Sequence, residues 1–165
     1  MKKILLLIRH AKAEDQSVMF KDFDRELVSR GIIDAARMGR YIYTEQVMVD
    51  QIKTSSAARA YQTVKIIAEQ LKIQVDSIEM DEKLYSGGVQ AYLAAVNTTS
   101  EIVQTLIVCG HNPDISYFGE YLTRADVGSM SKGSLLTIEF EELTWAEVSG
   151  KTGTIINHIS PKTLH

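Results

Sequence analysis

The chain has 165 residues, 45% of them apolar and 24% charged, which is enough to enclose one sizeable hydrophobic core and too few to need two. A formal charge of −3 and a pI near 5.8 supply no basic field for nucleic acid or for an anionic membrane surface. A single domain over 1–165 is therefore expected, and any anion it binds must be held by a few local cations.

The first element is read from "MKKILLLIRHAKAE", where the apolar run Ile4 to Ile8 stops at Arg9 and His10. A continuous apolar run of this length suits a strand buried on both faces of a parallel sheet. It is far too short to span a bilayer, and Arg9 closes it without a small-residue cleavage site, so a cytosolic location is expected. Cys109 is the only cysteine, which excludes an internal disulfide and a multi-thiolate metal site within one chain.

The segment "RELVSRGIIDAARMGRYIYTEQV" predicts a helix with Leu27, Ile32, Ala35, Ala36, Gly39 and Ile42 near one face and Ser29 as its N-cap. "DQIKTSS" predicts a second short strand. "AARAYQTVKIIAEQL" predicts a helix whose stripe is Ala60, Val64, Ile67 and Leu71. "IQVDSIEM" reads as a weaker third strand, "GGVQAYLAAVN" as a helix after its glycines, and "QTLIVCG" as another buried strand ending in glycine. "PDISYFGEYLT" opens with proline, which suits a first helical turn because it lacks the N–H that would be unpaired there. The last third, "SLLTIEFEEL", "TWAEVSGK" and "TGTIINHIS", shows shorter alternating stretches that predict antiparallel strands at a sheet edge. The cluster from Gly128 to Ser134 reads as a flexible loop.

Strands alternating with helices imply right-handed crossovers, and hence an α/β three-layer sandwich around a mostly parallel sheet with antiparallel edge strands. In such sheets ligands gather beyond the carboxyl ends of the strands. Three loops there share a property. The first strand ends in Arg9 and His10, the second leads to Arg59 one turn into a helix, and the "LIVCG" strand ends at His111, Asn112 and Pro113. Two arginines, two histidines and helix-start amides facing one pocket suit a dianion, because arginine offers a rigid fork of donors. Phosphate is the obvious candidate.

In these residues the chain resembles the histidine phosphatase superfamily, whose fold is phosphoglycerate mutase-like. "LIRHA" resembles its Arg-His-Gly signature, "SSAARAYQT" its second arginine segment and "VCGHNP" its second histidine segment, all in the family's order. The short length, the "DFDRELVSRGIIDAARMGRYI" segment and the direct passage to "GHNP" most resemble the SixA-type phosphohistidine phosphatases. The resemblance implies that His10 is the nucleophile, forming a phosphohistidine that water hydrolyses. It implies that Arg9, Arg59 and His111 bind the phosphoryl oxygens with His10 and replace a metal, so that no cofactor is needed. Glycine usually follows the first histidine; here it is Ala11, which predicts a backbone that an L-residue can adopt. Val28 stands where Ser or Thr is usual, leaving Ser29 as the cap. Many phosphomonoesterases of the superfamily use a carboxylic acid as proton donor, for which "MDEKLYSGG" offers Asp81 and Glu82.

The expected partner is a phosphorylated protein histidine or a small phosphorylated substrate, with no nucleic acid and no membrane. A small-molecule phosphomonoesterase and a phosphate-binding module without turnover are the alternatives. A phosphomutase would need a larger cap over the site, and neither GxGxxG nor GxxxxGK[ST] follows the first strand to suggest a dinucleotide or P-loop site. Cys109 lacks the CxxxxxR sequence of a thiol phosphatase and reads as a buried small residue. Trp145 and the tyrosines read as packing, His158 and His165 as surface, and Lys12, Ser17 and Lys21 as residues at the pocket mouth.

Overall fold

The computed structural model describes residues 1–164; His165 lies outside the described residues. Six strands form one sheet in the order β3-β2-β4-β1-β5-β6. These are β1 (Lys2–Arg9), β2 (Gln51–Thr54), β3 (Glu79–Met80), β4 (Thr105–Gly110), β5 (Leu135–Glu141) and β6 (Thr154–Ile159). The first four in spatial order pair in parallel, whereas β5 runs antiparallel to both β1 and β6. The helices are α1 (Ser29–Thr44), α2 (Ala58–Leu71), α3 (Lys83–Ser86), α4 (Gly88–Asn97) and α5 (Asp114–Thr123).

The pleat explains the three layers. Leu5 and Leu7 of β1, with Leu106 and Val108 of β4, face a core completed by α4 and α5. Leu6, Ile8, Ile107 and Cys109 project from the opposite face onto α1 and α2. Both faces are covered, so the central strands read as unbroken apolar runs rather than alternating ones. No helix among the described residues is long and apolar enough to cross a membrane.

Four local expectations are corrected. Ser29 is the first helical residue of α1 rather than its cap; Val28 holds the cap position in extended backbone, with its N–H bonded to the Lys12 carbonyl. The buried face of α1 runs through Gly31, Ala35, Met38, Gly39 and Ile42, while Ile32 and Ile33 are exposed. "IQVDSIEM" is mostly a 3₁₀ turn at Val75–Ser77, with only Glu79 and Met80 in the sheet. "TWAEVSGK" is no strand: Thr144 and Glu147 form a reciprocal capping box around the 3₁₀ turn Trp145–Glu147. Trp145 is fully buried, with Nε1 donating to the Val103 carbonyl at 2.7 Å, as its packing role predicts.

Candidate active site

Strand register builds the site. Arg9 pairs with Gly110 across β1 and β4, and Thr54 pairs with Cys109 across β2 and β4. The next residues, His10, Ser55 and His111, therefore leave the sheet side by side. The His10 N–H donates to the Gly110 carbonyl at 3.1 Å and the Ser55 N–H to the Cys109 carbonyl at 3.0 Å, which carries the alignment one residue past the strands. The imidazole centroids of His10 and His111 are 5.2 Å apart.

His10 has one possible chemical form. Its Nδ1 lies 2.7 Å from the Ala11 carbonyl, which only accepts, so Nδ1 carries the proton and Nε2 of the neutral ring is bare. Burial, followed by the fields of His111, Arg59 and Arg9, pushes its pKa down to about 3 against the opposing pull of the Ala11 bond. The ring is thus neutral at pH 7. Ala11 has negative φ and is fully buried, and its N–H donates to Thr63 Oγ1 at 3.0 Å. Thr63 in turn donates to the Arg59 carbonyl at 2.7 Å, fastening the His10 loop to α2.

Arg59 stands in the first turn of α2. Its Nη1 donates to the Asp22 carbonyl at 2.7 Å and its Nη2 to Asp22 Oδ2 at 3.1 Å. Tyr85 donates its hydroxyl to the same Oδ2, and Arg25 Nε reaches Oδ1 at 2.8 Å. Burial works against the charge, yet the donors Tyr85, Arg25 and Arg59 hold the Asp22 carboxyl well below the usual carboxylate range. The Tyr85 ring also meets His111 edge-on, with centroids 5.4 Å apart. Arg9 donates from Nη1 to the Met130 carbonyl at 2.9 Å. His111 is held neutral, its pKa lowered to about 4 by burial and by Arg59.

One electrostatic fact stands out. Arg9 Nε, Arg59 Nε and His111 Nδ1 are buried and have no hydrogen-bond partner in the protein. Buried polar atoms are normally paired, and leaving one unpaired costs about 1–3 kcal/mol. Three in one cluster provide for acceptor oxygens supplied from outside.

The segment expected to be a flexible loop is instead part of the cradle. Met130 is fully buried, and its carbonyl also accepts from Asn112 Nδ2 at 3.0 Å. The Gly133 N–H donates to the His10 carbonyl at 2.9 Å. Among the described residues, Asp81 and Glu82 make no hydrogen bond to the side chains of the cradle: Asp81 Oδ1 accepts the Lys83 N–H at 3.0 Å at the start of α3 while its own N–H donates to the Thr54 carbonyl at 2.8 Å, and Glu82 is exposed. Lys12, Ser17 and Lys21 are exposed, and Ser17 Oγ accepts the Met19 N–H at 3.0 Å. His158 lies on the exposed side of β6. Cys109 is fully buried, and burial pushes its thiol up to about 12, as an inert core residue requires.

Sequence reasoning missed Asp22, Tyr85, Ser55 and Thr63. Ser55 and Thr63 lie inside the arginine segment already singled out, so their polarity beside a conspicuous arginine was a usable signal. Asp22 and Tyr85 lie in the quoted segments "DFDRELVSRGIIDAARMGRYI" and "MDEKLYSGG", but nothing there ties them to Arg59, since their partners lie in distant parts of the chain.

The sequence model of the histidine phosphatase superfamily (branch 1) matches residues 5–85. An uncharacterised protein of Mycobacterium tuberculosis is 31% identical over 110 residues, which cover 66% of this chain and 65% of that protein's length. A solved structure from Nakamurella multipartitia, described as a candidate phosphohistidine phosphatase SixA, is 25% identical and superposes with a TM-score of 0.84 over 98% of this chain and 97% of that one. The protein histidine phosphatase SixA solved with tungstate gives a TM-score of 0.82 at 21% identity over 96% of this chain and 97% of that one. The shared architecture is the phosphoglycerate mutase-like fold.

Proposed function

Because the chain belongs to the histidine phosphatase superfamily, we propose that it is a metal-independent phosphatase that works through a phosphohistidine intermediate and acts on phosphohistidine in proteins. The observation that carries this reading is a bare imidazole nitrogen beside two arginines and a second imidazole whose buried nitrogens lack partners. His10 Nε2 attacks phosphorus in line with the leaving group, a P–N bond to the enzyme forms, and the bond to the leaving group breaks. Water then attacks the same phosphorus, releasing phosphate and restoring His10. Arg9, Arg59 and His111 donate to the equatorial oxygens, so charge developing in each transition state meets fixed dipoles. Asp22 holds Arg59 in that orientation.

Two features favour a protein-borne phosphoramidate. A phosphorylated imidazole whose other nitrogen is protonated departs as neutral imidazole, so it needs no acid from the enzyme. Neither Asp81 nor Glu82 makes a hydrogen bond to Arg9, His10, Arg59 or His111 among the described residues. One side of the rim is also low. Only His111 to Pro113 separate β4 from α5, which leaves no covering insertion there. The loop between β1 and α1 exposes Val18 and Met19 completely or nearly so, at 103% and 84%. Adjacent exposed apolar side chains mark a surface that a protein can cover.

The test presents the purified protein, with excess chelator, with a phosphohistidine protein, a phosphohistidine peptide and a panel of phosphorylated metabolites. The expected result is the highest kcat/KM for the phosphohistidine protein and no turnover after His10→Ala. A metabolite preferred over the protein overturns the substrate reading. Equal activity in His10→Ala overturns the mechanism. Val18→Ser with Met19→Ser is expected to raise KM severalfold for the protein substrate while leaving hydrolysis of a small aryl phosphate unchanged.

A further inference from the structure

Ser55 is fully buried, and its side chain makes two contacts. Its Oγ accepts the Ala57 N–H at 3.2 Å and lies 2.8 Å from His111 Nε2. A serine hydroxyl has a single proton to donate. Among the contacts of Ser55 Oγ, the Ala57 amide is a donor, so the hydroxyl proton has one available acceptor, the His111 ring. On a neutral imidazole only one nitrogen accepts, and the other must then carry the proton. That other nitrogen is Nδ1, the atom that is buried without a partner.

We infer that Ser55 is a positioning residue that fixes the tautomer of His111, so that the ring presents an Nδ1–H donor to the phosphoryl oxygen. The two histidines then present opposite ends. His10 donates its Nδ1–H to the Ala11 carbonyl and offers a bare Nε2, whereas His111 accepts the Ser55 hydroxyl at Nε2 and offers an Nδ1–H. With the other tautomer, His111 would turn a lone pair toward the phosphate, and a donor would become a repulsive acceptor. Ser55 is itself held by its place beyond β2, where its N–H bonds to Cys109 and its position follows from the β2–β4 register. The backbone N–H of His111 is held separately by the Tyr92 hydroxyl at 3.0 Å, which fixes the strand end that carries the ring. Wrong-tautomer variants of catalytic triads show that such an error can cost orders of magnitude in rate with geometry intact.

This inference rests on the phosphatase reading for its consequence but not for its test. Nitrogen-15 NMR of the wild-type protein without phosphate is expected to show His111 protonated on Nδ1 and bare on Nε2 at pH 7. A signal from protonated Nε2 overturns the inference, whatever the protein hydrolyses. Ser55→Ala is expected to abolish the tautomer preference and to lower kcat by about tenfold or more, with little change in KM, for both an aryl phosphate and a phosphohistidine peptide. Ser55→Thr, which keeps the hydroxyl, is expected to restore the nitrogen spectrum and most of the rate. Retention of the wild-type spectrum and kcat in a folded Ser55→Ala protein overturns the assignment. If the wild-type spectrum is as expected but no phosphorylated compound is turned over, the phosphatase reading fails and the tautomer assignment stands.

Discussion

Asp22 fixes a flexible guanidinium by spending both of its oxygens and its backbone carbonyl on neighbouring donors. Arg59 alone could sweep through many rotamers, and ordering it during each encounter with phosphate would cost entropy. Asp22 and Tyr85 remove that freedom in advance, at the expense of a negative charge beside a site for anions. Asp22→Asn keeps the shape and the carbonyl contact but weakens the charge-assisted bonds. A fall in kcat/KM of about tenfold is expected, consistent with the roughly 1.5–3 kcal/mol of a hydrogen bond to a charged group. Steady-state kinetics with an aryl phosphate checks it, and an unchanged kcat/KM would mean that Arg59 is oriented by its backbone alone. At this scale the sequence disclosed the cations but not their supports. Arg9, His10 and His111 are legible because each follows an apolar run directly. Asp22 looks like any acidic loop residue until the fold brings α2 and Tyr85 to it.

Among the elements, the strands were legible and the helix faces were less so. A central strand betrays itself by an unbroken apolar run. The face of α1 does not, because its packing on α2 uses Ala35 and Gly39 while Gly31 lies against the Lys12 backbone, with the exposed Ile32 misleading the periodicity. Small residues let the helices approach: a Cβ on Gly39 would fall 2.9 Å from the Gln70 Cβ. The end of β4 shows the same dependence on a missing side chain. A Cβ on Gly110 would sit 1.9 Å from the Tyr92 hydroxyl, which bridges the Leu84 carbonyl and the His111 N–H. Gly110→Ala must therefore displace either Tyr92 or the strand end that delivers His111. A loss of about 3 kcal/mol or more in denaturant unfolding is expected, with loss of phosphatase activity even at temperatures where the variant stays folded. Wild-type stability in this variant would mean that Tyr92 moves freely, contrary to its complete burial.

For the whole molecule, the site is a destabilising feature that the two cores must carry. His10 and His111 have pKa values of about 3 and about 4, both below the ordinary 6.5 and both lowered first by burial. Above pH 7 each ring is neutral in the folded and the unfolded chain, so neither makes stability depend on pH. As pH falls through 6.5 the unfolded chain takes up protons that the folded protein refuses. Stability is then lost by about 1.4 kcal/mol per pH unit for each histidine, until the folded pKa is reached. His158 is lowered in the same direction but lies on the exposed side of β6, where water screens the effect. Between pH 6.5 and pH 5 few carboxylates titrate in either state, so this window isolates the histidines. Urea unfolding at pH 7.5, 6.0 and 5.0 should show the decline beginning near 6.5, and His10→Asn should flatten it by removing one of the two buried rings. A wild-type stability that stays level to pH 5 would place both imidazoles in water. It would remove the reason for a neutral nucleophile beside two arginines, because the low proton affinity that makes His10 ready to attack is the same property that weakens the fold in mild acid.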